Sequence, residues 1–144
     1  MAELFLIVRL AGERVAFPAS EVNSLIDLEQ LTPVPRAPRH VAGLAALRSR
    51  ILTVIDCRAA LGAAPVRCEG REAVVVPSDG HLYALVVDGV EDVMEASAPP
   101  SDTRLPLALA WGAVARNMVE LGGDLLLLVD PHALVAGSAA EAVA

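Results

Sequence analysis

Lysine is missing from this chain, and with it the simplest basis for a polyanionic partner. All 11 positive charges are arginine, set against 18 acidic residues for a formal net charge of −7. Non-specific affinity for nucleic acid comes mainly from a concentrated positive surface. No stretch supplies one, which argues against nucleic acid as a partner, and none is expected. In a chain dominated by Ala, Val and Leu the arginine-only pattern is that of a GC-rich genome, and it says nothing by itself about guanidinium chemistry. Cysteine is scarce too: Cys57 and Cys68 stand alone without CxxC spacing, which predicts two reduced, structural thiols and no disulfide framework. Aromatic residues make up 3% and hydrophobic residues 55%. Even so, charges or breaks interrupt every apolar run before the roughly 18 residues that a bilayer span requires. The nearest candidate, Leu105 to Val119, is broken by Trp111-Gly112 and Arg116-Asn117. The first residues reach Arg9 after a short apolar run, with neither a basic leader nor a small-residue cleavage site. The expectation is a cytoplasmic protein with no direct membrane insertion.

Recognisable catalytic constellations are also wanting. His40, His81 and His132 lie far apart, and none stands at metal-ligand spacing from another His or a Cys, so no metal is expected. Gly122-Gly123 has no lysine or helix behind it and reads as a hairpin turn, not a phosphate loop. Asp56, Asp88, Asp92 and Asp130 are the carboxylates open to acid–base work. Asp88 meets Gly89 directly, without the Thr or Ser that an aspartic-protease loop places between them. Asp56 and Asp130 sit at strand ends before short helices, where capping explains them. A small hydrolase built on Asp88 and Asp92 is the weakest reading. The chain is expected not to be an enzyme, with no catalytic residues and no cofactor.

What is present is a succession of short apolar segments and turn signals in 144 residues, a length suited to one domain over 1–144. Glu3 to Leu10 and Arg14 to Phe17 flank a glycine-bearing turn and predict a hairpin. Pro18 to Asp27 predicts a short helix, with Ser20 able to cap and Val22, Leu25 and Ile26 on one face. Leu31 to Pro38 carries three prolines and is expected to run extended at a sheet edge. The organising stretch is Val41 to Gly62. It predicts a turn at Gly43, a strand at Ile51–Ile55 buried on both sides, and a short helix whose cap, Asp56, accepts from the N–H of Arg58 or Ala59. After a connecting loop over Ala63–Gly70, Glu72–Pro77 and His81–Val87 predict a hairpin at Asp79-Gly80, and Asp88–Met94 a further turn and strand. Pro99, Pro100 and Pro106 enclose an irregular stretch. A last hairpin joins Trp111–Leu121 to Asp124–Val129, and a helix over Pro131–Val135 follows, capped by Asp130 with proline at its first position. Ser138 to Ala144 reads as a frayed tail. Ile51–Asp56 with its helix is echoed by Leu125–Asp130 with its helix. About eight strands without a long helix predict an all-β architecture with a few short helices, in two small barrels sharing one chain. So apolar a chain exposes patches after covering its core, which favours an interaction module.

The run VAGLAALR from Val41 to Arg48, followed by ILTVIDCR from Ile51 to Arg58, resembles the signature of the CheW-like family, the coupling proteins of bacterial chemotaxis. That signature is a glycine, an Asn-Leu-Arg-Gly turn and an apolar strand ending in Asp-Leu-Arg. The likeness extends upstream through Leu31–Pro35 and downstream through Leu85–Val90 with Asp92-Val93, in order along nearly the whole chain.

The resemblance implies two intertwined five-stranded SH3-like β-barrels with a hydrophobic groove between them, and a role without catalysis. It implies an adaptor that links the cytoplasmic tip of a chemoreceptor, a methyl-accepting protein, to the regulatory domain of a CheA-type histidine kinase. Such an adaptor is recruited to membrane-associated receptor arrays through those partners. By position, Gly43, Leu47 and Arg48 would lie at the receptor-facing groove with Val22 and Leu25 beside them. The alternative within the same fold is a divergent regulator that occupies one partner surface and limits kinase arrays. Three positions depart from the family pattern: Ser49 stands where the turn has glycine, Ala46 where it has asparagine, and Ser24 where members carry a glutamate that pairs with the turn's arginine. For Arg48 this leaves Glu21 or Asp27 as substitute partners, a guanidinium free for a receptor carboxylate, or a solvated surface arginine.

Overall fold

Two-residue turns set the frame. In the computed structural model, which describes residues 3–96, 99–100 and 109–137, β1 (Leu4–Leu10) folds back on β2 (Glu13–Pro18) through Ala11-Gly12. Likewise β6 (Glu72–Ser78) folds back on β7 (His81–Val86) through Asp79-Gly80, and β9 (Ala115–Leu121) on β10 (Asp124–Val129) through Gly122-Gly123. In all three turns both central residues have positive φ, the geometry whose twist matches that of paired strands. The other strands are β3 (Ser24–Asp27), β4 (Val41–Leu47), β5 (Arg50–Asp56) and β8 (Gly89–Glu95). Three short helices complete the fold: α1 (Cys57–Ala60), α2 (Leu109–Val114) and α3 (Pro131–Ala136).

The ten strands form two five-stranded sheets, ordered β8-β1-β2-β10-β9 and β3-β6-β7-β5-β4. Advancing every strand of the first order by five places, with β10 running on to β1, gives the second. The pairings agree as well. The β1–β2 and β6–β7 hairpins are antiparallel, and β10–β2 and β5–β7 are parallel. A bulge interrupts β4–β5 between Val41 and Gly43, and another interrupts β9–β10 between Leu128 and Val129. The echo between the two Asp-capped segments is therefore one part of a duplication. Each half of the chain gives its hairpin to one sheet and its next three strands to the other, so the sheets are intertwined. The ladders correct the expectation of closed barrels: each unit is an open SH3-like sheet, with β8 and β9 as the edges of one and β3 and β4 as the edges of the other.

Strands apolar on both faces need a core on each side. Leu6, Val8, Leu10 and Phe17 of one sheet meet Ile55, Val74, Val76 and Leu85 of the other in a shared core, closed by Cys57, Val114 and Leu134 from the helices. The opposite faces form separate cores around Phe5, Ile7 and Leu126, and around Leu52, Val54 and Ala84.

Three further expectations change. Pro18–Asp27 is not a helix: one 3-10 turn at Ala19–Glu21 is followed by β3. Ser24, Ile26 and Leu28 alternate toward the interior, and pairing with β6 decides between that period and the helical one. Val41–Leu47 is a strand, and the turn of its hairpin is Arg48-Ser49. Trp111–Val114 belongs to α2, ahead of β9. The Pro99–Pro106 stretch falls largely, and the Ser138–Ala144 tail entirely, outside the described residues. The remaining elements lie where they are expected, but β5 is not buried on both sides along its length: Ile51, next to the hairpin turn, is 65% exposed, while Leu52, Val54 and Ile55 are buried. Asp56 accepts from the N–H of Ala59 at 3.2 Å and Asp130 from that of His132 at 2.9 Å.

Candidate functional site: an arginine-rimmed groove at a sheet end

The β4–β5 turn differs from the other two-residue turns in having only its first central residue, Arg48, at positive φ (58°). That position favours glycine, since an L side chain there is crowded by its own backbone. The turn holds Arg48 over a groove of about 670 Å³ whose walls include Ile26, Asp27, Leu44, Leu47 and Ile51. An adjoining groove of about 370 Å³ shares Ile26, Leu47 and Arg48 and adds Leu25, Arg50 and, at its base, Leu82. Ile51 is 65% exposed and Leu25 48%, so the end of the β3–β7 sheet presents branched apolar side chains to solvent beside two arginines. Among the described residues, neither Arg48 nor Arg50 has a carboxylate within ion-pair distance.

Of the five residues expected at a receptor-facing groove, Leu25, Leu47 and Arg48 line the smaller of these two grooves. The structure does not place Val22 or Gly43 on those walls. Half-buried Val22 packs on the shared core just after the 3-10 turn. Gly43 is buried in the β4 bulge, where a Cβ would lie 2.6 Å from the carbonyl oxygen of Thr32. That close approach lets Thr32 exchange two 2.8 Å backbone hydrogen bonds with Leu44, which holds Thr32 on the wall of the larger groove. Gly43 thus positions a wall it does not form.

Glu21 is no substitute partner for Arg48. Its oxygens accept from Arg116 at 2.8 and 3.0 Å and lie 3.1 Å from His132 Nε2. Arg116 also donates to Asp130 at 2.9 Å, and His132 Nδ1 lies 3.2 Å from Ser78 Oγ. The Glu21 and Asp130 carboxylates thereby hold the Arg116 guanidinium above its ordinary range, through the Glu21 hydrogen bond first. Glu21, Asp130 and His132 bring three possible metal ligands within 4.8 Å of one another, a cluster that linear spacing conceals. The guanidinium already occupies both carboxylates. The second carboxylate group is equally committed: Asp88 accepts from the N–H of Ala11 at 2.9 Å and from Arg58 at 3.1 Å, with Arg71 at 3.6 Å. Asp92 caps the N–H of Val93 at 2.8 Å. Burial pushes the Cys57 thiol well up and that of Cys68 up to about 11, with nearby Asp56 acting in the same direction.

The groove with its two rim arginines and these internally paired carboxylates belong to a β-sheet scaffold that exposes apolar side chains at one sheet end. The family model described as the CheW-like domain matches residues 4–139, and the chain belongs to the CheW-like family of non-catalytic chemotaxis scaffolds. It is 28% identical over 136 residues to the chemotaxis protein CheW of Klebsiella aerogenes, covering 91% of this chain and 80% of that one. It is 27% identical over 115 residues to protein FrzA of Myxococcus xanthus, covering 80% and 71%. The crystal structure of the scaffolding protein TtCheW from Thermoanaerobacter tengcongensis superposes with a TM-score of 0.80 at 20% identity, over 93% of this chain and 92% of that one, and shows the shared fold. No helix among the described residues is long and apolar enough to cross a membrane.

Proposed function

We propose that this chain is a cytoplasmic coupling adaptor that joins the cytoplasmic tip of a chemoreceptor to the regulatory domain of a CheA-type histidine kinase, and that it reaches receptor arrays through those partners. The receptor tip occupies the groove lined by Leu25, Leu47 and Arg48. Arg48 carries this reading: it is held in a left-handed conformation over an apolar groove with no carboxylate partner among the described residues. Local strain of this kind persists where the position serves a purpose. A receptor carboxylate would complete it with a charge-assisted hydrogen bond of about 1.5–3 kcal/mol.

Pull-down of the protein by a soluble receptor-tip hairpin tests this. Arg48→Glu should weaken capture by about tenfold or more and leave the melting temperature little changed; undiminished capture removes Arg48 from the site. Reconstituted kinase activity separates coupling from the array-limiting alternative. Added protein raises activity in the presence of receptor in the first case and lowers it in the second.

A further inference from the structure

The duplication gives the residues that line the smaller groove counterparts in the other sheet, and there a methionine and an arginine bridge span the corresponding rims, while Val93 and Leu125 stay 49% and 50% exposed. By strand pairing Leu25 and Ile26 correspond to Val93 and Met94, Leu47 to Leu121, Arg48-Ser49 to Gly122-Gly123, Arg50 to Asp124, and Leu82 to Arg14. In that bridged half Met94 reaches over the β9–β10 turn, and a Cβ on Gly122 would fall 2.8 Å from its Cε. Across the mouth Arg14 lies 3.1 Å from Glu91 and 3.3 Å from Asp124, tying the two lips together. In the groove half each bridging element is replaced. Ile26 is shorter than methionine by one atom, and the glycine that admits Met94 is Arg48. Asn23 stands for Glu91, and the cation of Arg14 becomes the apolar Leu82. The lip that carries Asp124 in one half carries Arg50 in the other. What remains is about 370 Å³ of space over Leu82, rimmed by two cations.

We infer that this groove is completed by its partner as the other half is completed by its own chain, taking one long, unbranched apolar side chain of methionine type from an acidic amphipathic helix. A carboxylate within one turn of that side chain meets Arg48 and Arg50. The inference rests on the groove being the receptor site of the function proposed above, and it names the chemistry that site selects. A flexible thioether or straight-chain side chain adapts to an irregular gap at low cost, and the apolar surface it loses to solvent supplies the affinity. The arginines set the sign of the flanking charge and reject a basic helix.

A helical alanine-based peptide with one methionine and glutamates three and four residues from it serves as the probe, compared with the same peptide bearing alanine for methionine. Binding is read by NMR from the methyl resonances of Leu25, Leu47 and Ile51. The methionine peptide should bind about tenfold more tightly. Arg48→Gly should retain that preference. Ile26→Met combined with Arg48→Gly, which installs the pair found in the other half, should abolish it with thermal stability kept. Should the double variant misfold, Arg50→Glu provides the second measurement: it should invert the preference toward a peptide with lysines for glutamates. Equal binding of the methionine and alanine peptides, an undiminished preference in the folded double variant, or indifference of Arg50→Glu to flanking charge overturns the inference. Receptor-tip capture that survives in the double variant also overturns it and leaves the adaptor reading standing. Methionine-selective binding of the peptide without receptor-tip capture does the reverse.

Discussion

The imidazole of His40 lies against the backbone of Gly137: a Cβ on that glycine would fall 2.4 Å from His40 Cε1. Gly137 ends α3 at φ 65°, and His40 Nε2 lies 2.9 Å from the carbonyl oxygen of Val135 in the last turn. With 2% of its surface exposed, His40 joins the start of β4 to the end of a helix almost a hundred residues later.

Gly137→Ala should therefore be among the more damaging small substitutions. A left-handed alanine costs about 1–2 kcal/mol, and displacing the ring against a packed interior adds to it. Urea denaturation should show a loss of about 2 kcal/mol or more, whereas Gly62→Ala, also at positive φ but with open space around it, should lose only the backbone part. Equal losses at the two positions would show that the ring contact carries nothing.

Arg48→Gly should raise stability while lowering receptor capture. Glycine relieves the left-handed strain, worth about 1 kcal/mol, and removes the cation over the groove. Thermal melting and pull-down on the same preparation would register both. A variant that melts lower than the parent would mean that Arg48 supports the fold, although it makes no ion pair among the described residues.

Which of these features could be read from the chain follows from the range of the interactions that make them. Ala11-Gly12, Asp79-Gly80 and Gly122-Gly123 announce their hairpins because the turn geometry is chosen by the turn residues themselves, and Asp56 and Asp130 announce their helices because a cap bonds two or three residues ahead. Val22, Leu25 and Ile26 match the spacing of a helix face just as well as Ser24, Ile26 and Leu28 match a strand, and only β6, far along the chain, selects the strand. The same pairing separates Leu25, which lines the groove, from Val22, which turns into the core. The engagement of Glu21 by Arg116 spans 95 residues, and the resemblance to other chains could place a carboxylate near Arg48 in general but not show that this one is already taken.

The two thiols predict alkaline sensitivity. Burial, reinforced by Asp56, raises Cys68 from its ordinary value near 9 to about 11 and Cys57 in the same direction. The folded chain thus keeps protons that the unfolded chain releases above about pH 9. Stability from this source is complete below that pH and falls as pH climbs toward 11. Unfolding midpoints measured between pH 8 and 11 should decline, and the decline should shrink in Cys57→Ala combined with Cys68→Ala. At pH 8 iodoacetamide should label the folded protein slowly and the urea-unfolded protein fast.

Arg116 donates to both carboxylates of the Glu21, Asp130 and His132 cluster. Arg116→Ala should lower stability by about 1–3 kcal/mol, reduced by the partial exposure of the group, because it leaves two carboxylates without their donor. It should also leave three ligands of zinc type within reach of one ion. Zinc binding only the folded state stabilises it by mass action, so added zinc should raise the melting temperature of Arg116→Ala and leave that of the parent where it was. Glu21→Gln placed on top of Arg116→Ala should remove the response. Were the parent to respond to zinc as strongly as the variant, the guanidinium would not be what holds the cluster closed.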